Sequence, residues 1–74
     1  MHIESIITMI KEYRKKIDEI DSQIISLLEK RENLVKKVRL IKLQQAIPLK
    51  DSQREEQVLK NAGKFKKVFI EILK

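Results

Sequence analysis

Between Ile6 and Ile41, positions spaced alternately four and three apart carry Ile6, Ile10, Tyr13, Ile17, Ile20, Ile24, Leu27, Arg31, Leu34, Val38 and Ile41. This heptad period marks a helix packed along its length against another helix, and Arg31 alone interrupts its apolar character. Ile7, Ile25, Leu28 and Val35 widen the stripe beyond a two-stranded seam, which predicts a bundle with more than one packing neighbour. Neither glycine nor proline occurs in residues 1–47, so Pro48, with the extended bias it imposes on Ile47, is the first stop signal. A helix from about Ile3 to Gln44 would be roughly 60 Å long at ~1.5 Å per residue. A compact monomer of this length has a radius of gyration near ~11 Å, so the remaining residues are too few to cover the seam. A second copy of the chain must do so, and the expected state is an obligate homodimer.

The remainder is short. Ser52-Gln53-Arg54-Glu55 has the form of a capping box, with Asp51 as an alternative cap, and predicts a helix over about 52–62. Gly63 then offers the left-handed conformation that often follows a helix. Phe65, Val68, Phe69, Ile72 and Leu73 recur at helical spacing and predict a third helix over about 64–74. One glycine and one proline in 74 residues exclude a turn-rich β fold, so the fold class is all-α: one long N-terminal helix plus two short helices in a single domain, 1–74. With no cysteine there is neither a disulfide staple nor a thiolate metal site to support so small a core, and oligomerisation is the remaining route to stability.

Charge and hydropathy narrow the partners. The net charge of +6 divides evenly, +3 in residues 1–47 and +3 in 48–74, so there is no basic tail; with one Tyr and two Phe there is no stacking platform for nucleic acid either. No apolar run approaches the ~18 to 20 residues of a membrane span, and Met1-His2-Ile3-Glu4-Ser5 lacks the features of a secretory signal. The expectation is a soluble, cytoplasmic protein that binds neither nucleic acid nor membrane. His2 is a lone terminal histidine without a second ligand nearby, so no metal site is expected. No Ser-His-Asp set, glycine-rich phosphate loop or Cys/His cluster can be assembled.

Arg31 is the anomaly of the seam. A guanidinium there must be desolvated, which is tolerable only against a partner with negative charge and fixed acceptors. Lys42 follows eleven residues later, within about 20° of Arg31 on an ideal helix and about 16 Å along its axis. Val35 and Val38 lie between them. Two cations over an apolar floor suit a compact organic anion. Equally open is an ion pair of Arg31 with Glu32 or with a carboxylate of a partner helix, which would fix register. Arg14 sits beside the seam and reads by itself as a solvated charge. Asp51, Arg54 and Glu55 share one side of the second helix and fit an exposed cap plus an i, i+3 ion pair as well as a site.

These residues also carry a family resemblance. Arg14 to Asp21, Ile24 to Arg31, Val35-Lys36-Lys37-Val38, Ile41-Lys42 and Ile47-Pro48-Leu49-Lys50-Asp51-Ser52-Gln53-Arg54-Glu55 resemble the all-helical chorismate mutases over about residues 10–60. The resemblance implies an intertwined helical homodimer with two active sites shared between subunits. It would convert chorismate to prephenate, on the route to phenylalanine and tyrosine, without a cofactor. Carried over by position, Arg31 would bind one substrate carboxylate within its own subunit and Arg14 the other carboxylate across the dimer. Lys42 would hydrogen-bond the ether oxygen of the breaking C–O bond and a carboxylate. Arg54 would add positive field, Asp51 and Glu55 would stand near the substrate hydroxyl, and Val38 would line the floor. In many members a longer third helix supplies a small hydroxyl residue and a Gln or Glu near the ether oxygen; nothing here aligns with those positions, which leaves Lys42 as the one nameable side-chain donor. Two other readings stay open: an isochorismate-pyruvate lyase of the same fold, and a catalytically silent dimeric ligand-binding module.

Overall fold

In the computed structural model, which describes residues 3–74, the chain forms α1 (Ile3–Gln44), α2 (Ser52–Ala62), a 3-10 turn (Gly63–Phe65) and α3 (Lys66–Leu73). No strand occurs among the described residues. His2 lies outside them. Glu4 in the first turn of α1 and Lys42 in its last complement the helix dipole. Thr8, a residue whose hydroxyl competes for backbone groups, donates to the Glu4 carbonyl one turn back at 2.8 Å, so its polar atom is satisfied within the helix.

The end of α1 is made by the backbone and lies ahead of Pro48. Ala46 has φ 56°, the left-handed region usually left to glycine. The Ile47 N–H donates to the Lys42 carbonyl at 2.8 Å and the Ala46 N–H to the Leu43 carbonyl at 3.5 Å. That pair of bonds is a Schellman closure with alanine in the glycine position. At α2 the cap is Asp51, whose Oδ1 accepts the Arg54 N–H at 3.0 Å, and Ser52 is already the first helical residue. The capping box read from Ser52 therefore gives way to the alternative one residue earlier. Gly63 has φ 57° as expected of a helix-ending glycine, but its ψ of −123° is far from the left-handed helical value. The chain consequently turns straight into the 3-10 turn that starts α3.

Contacts divide the chain into two units, Met1–Val38 and Arg39–Lys74. In the second, α2 packs on α3, half-burying Val58, Leu59, Ala62, Phe69, Ile72 and Leu73. In the first, the helix has no such cover. Across the whole seam the apolar side chains are between 42% (Ile6) and 61% (Leu27 and Leu34) exposed. No residue among those described is buried, and the accessible surface is 7323 Å². A self-contained monomer of this mass exposes about 4,800 Å². The exposed apolar stripe of α1 contributes to the difference. None of the described helices is long and apolar enough to cross a membrane.

Two caps test this account of the backbone. Replacing Ala46 by Gly relieves a left-handed alanine and should stabilise the protein by about 0.5 to 1 kcal/mol once the looser unfolded chain is allowed for. Gly63→Ala meets no atom within 4 Å of the new methyl group, so its cost is conformational alone, about 1 to 2 kcal/mol. Urea unfolding of both variants at one fixed protein concentration measures the two shifts, which should have opposite signs.

Candidate active site

The charged residues singled out by the sequence divide between the units. Arg14, Arg31 and Val38 belong to Met1–Val38; Lys42, Asp51, Arg54 and Glu55 belong to Arg39–Lys74. Most charged side chains of the chain are exposed, as charge requires in the absence of a partner. Among the described residues three are instead half-buried, and they are Arg31, Lys42 and Glu55. All three are candidate site residues.

Arg31 follows Leu27 and Leu28 and precedes Leu34 and Val35 on α1, so its stem lies in the apolar stripe. Among the described residues the ion pair within 4 Å is Lys74 with Glu71, at 3.0 Å near the end of α3. Among the described residues Arg31 thus pairs with no carboxylate, and the intrachain pairing with Glu32 is not formed. Arg14 is exposed and likewise makes no ion pair with a described residue. Its neighbour Tyr13 instead receives Lys16, whose Nζ lies 5.9 Å from the ring centroid. Val38 is half exposed on the seam.

Lys42 occupies the last turn of α1, and its Nζ donates to the Leu49 carbonyl at 3.4 Å. Within the second unit, Asp51 and Arg54 are joined directly, but through the Arg54 backbone N–H, as the helix cap. The Arg54 guanidinium donates from Nη1 to Gln57 Oε1 at 3.4 Å. The i, i+3 partner of Arg54 is therefore an amide, and the expected ion pair does not form. One Asp51 oxygen instead accepts a first-turn N–H that would otherwise go unsatisfied. Sequence reasoning missed Gln57, although the i, i+3 spacing would have found it. It also missed the Leu49 carbonyl, a backbone atom for which side-chain pattern carries no signal.

Arg31 and Lys42 on α1 and Glu55 on α2 are thus each half-buried, and neither cation pairs with a carboxylate among the described residues. The sequence model of the chorismate mutase type II family matches residues 13–69, a span containing every candidate site residue, and the chain belongs to that family. Over 52 residues it is 46% identical to a chorismate mutase of Methanocaldococcus jannaschii, an alignment that covers 70% of this chain and 52% of that protein. The chain thus spans about half the length of the curated relative it matches. Among solved structures it resembles a conserved hypothetical protein from Pyrococcus furiosus, with a TM-score of 0.87 and 47% identity over 89% of this chain and 87% of that one.

Removal of the α2 cap separates structural from chemical use of Asp51. Asp51→Ala should cost about 1 kcal/mol of stability through the lost N–H acceptor. Asp51→Asn and Asp51→Ser, both good caps, should recover most of it in the same unfolding measurement.

Proposed function

We propose that this chain is a chorismate mutase that works as a homodimer, rearranging chorismate to prephenate. The observation that carries the reading is that Arg31 and Lys42 are half-buried yet free of any carboxylate of their own chain among the described residues, within a chain of the chorismate mutase type II family. A cation held partly out of water and unpaired is ready for an anionic ligand.

The second copy follows from the exposed seam. A row of isoleucines and leucines about half exposed over the length of α1 is too large an apolar surface for a stable monomer, and an identical helix has the complementary period. Two chains also resolve the placement of Arg14. Arg14 and Arg31 stand seventeen residues apart on α1, about 26 Å along its axis. That separation is long beside an arginine side chain, and it supports the cross-dimer placement of Arg14 that the family resemblance implies. We assign Arg31 to one substrate carboxylate and Arg14, across the dimer, to the other. Val38 forms part of the apolar floor, Arg54 contributes positive field, and Asp51 and Glu55 stand toward the substrate hydroxyl.

The reaction is a unimolecular pericyclic rearrangement in which an ether C–O bond breaks as a C–C bond forms. It requires no nucleophile or proton relay. What a protein supplies is confinement of a flexible dicarboxylate in its compact reactive conformer, and a cation where negative charge grows on the ether oxygen. Arginines on the two carboxylates do the first. Lys42 does the second, because a preorganised ammonium acts more strongly on the developing charge in a water-poor site than it would in solution. The setting we propose is cytoplasmic.

The decisive measurement is chorismate depletion with identification of the product: prephenate supports the reading, whereas absence of turnover in a folded dimer refutes it. Lys42→Ala should lower kcat by about 10² to 10³ with the dimer intact, as loss of a charge-stabilising donor does. Arg31→Leu should abolish turnover while leaving stability unchanged or improved, because the seam favours an apolar residue. Mixed dimers of Arg14→Ala and Arg31→Ala chains, each inactive alone, should regain one working site per dimer. No recovery after verified subunit exchange would show that both arginines serve the same subunit.

A further inference from the structure

Lys42 differs from every other lysine described. It is the only one that is not exposed and the only one whose ammonium meets a backbone carbonyl. That carbonyl belongs to Leu49, seven residues on and beyond the end of the helix. For it to stand beside the last turn of α1, the chain must double back. Left-handed Ala46 makes the reversal, and the Ile47 N–H locks it by donating to the carbonyl of Lys42 itself at 2.8 Å. Pro48 then fixes its own φ and holds Ile47 extended, which sets where Leu49 falls. The turn therefore grips Lys42 at both ends, by its backbone oxygen and by its ammonium.

We infer that the turn Gln45–Leu49 is a positioning element for Lys42, with Ala46 and Pro48 as its positioning residues: it tethers the lysine ammonium near its working place before a ligand arrives. This inference rests on the proposed role of Lys42 toward the ether oxygen. A lysine side chain is flexible and an ammonium has three N–H donors. The Leu49 carbonyl occupies one donor at the long distance of 3.4 Å, which orders the side chain and leaves the other two for ligand oxygens. Ordering a donor in advance removes reorganisation from the chemical step, so the benefit belongs in kcat more than in KM.

The test uses Pro48→Gly, which frees the turn, and Ala46→Val, whose branched side chain resists the left-handed conformation. Gly63→Ala serves as a control, because it strains the backbone at a cap outside the turn. Both turn variants should lose on the order of tenfold in kcat as dimers, the scale expected of a displaced catalytic group. Their KM should stay within about twofold, since uniform binding is not what is lost. Gly63→Ala should keep wild-type kcat. Wild-type kcat in folded Pro48→Gly and Ala46→Val, beside an inactive Lys42→Ala, overturns the positioning role alone. Full turnover in Lys42→Ala removes the reading of Lys42 itself and this inference with it. A measurement on the unaltered protein decides the matter even where the turn variants fail to fold. Relaxation of the ¹⁵N-labelled lysine ammonium groups without ligand should show Lys42 more ordered than Lys60 and Lys64, and equal mobility overturns the tether.

Discussion

A helix of 42 residues with an apolar stripe along its length has more hydrophobic surface than the rest of this chain can hide. The hydrophobic effect scales with area removed from water, so half-exposed isoleucines leave most of their stabilisation unrealised. The small contact between α2 and α3 does not compensate, since it only half-buries its own six side chains. Everything else proposed for the molecule depends on what covers that stripe. A second α1 would supply the missing core. In the same act it would bring Arg14 of one chain within reach of a ligand held by Arg31 of the other.

The same surface carries the site we propose, which uses none of the usual catalytic groups. Arg31 interrupts the stripe at a position where an apolar residue would serve stability better, and it has no counter-ion among the described residues. A cost accepted in that way is characteristic of groups kept for a ligand, although register-fixing polar residues share the pattern. Lys42 lies in the last turn of the same helix, where its charge also complements the helix dipole. Dual use recurs at Asp51, whose carboxylate caps α2 with one oxygen and leaves the other free. In a chain of 74 residues, the side chains we propose for the chemistry also carry structural duties.

How much of this could be read from residues alone differs between elements. The long seam, the all-α class and the anomaly at Arg31 follow from period and composition, since side chains three and four apart meet on one helix face whatever lies elsewhere. The end of α1 was less legible. Pro48 marked the region, but an alanine gives no warning that it will take the place of glycine in a left-handed turn. Ser52 and Asp51 are both competent caps, and only the path of the chain entering α2 selects Asp51. Of the candidate site, the residue types and spacings were visible. The Arg54 to Gln57 bond and the Lys42 to Leu49 bond were not used, the second because backbone acceptors leave no mark on side-chain pattern.

By itself, then, the sequence determined the helices, the stripe that asks for a neighbour, the cations set into it and the family to which they belong. These are consequences of local periodicity and residue chemistry. Tertiary structure decided which oxygen each donor meets: Asp51 rather than Ser52 at the start of α2, Gln57 rather than a carboxylate for Arg54, and the Leu49 carbonyl for Lys42. The last of these hangs on the direction in which Ala46 turns the backbone, and a turn's direction is set by the path that satisfies its hydrogen bonds, not by the pattern of side chains along it.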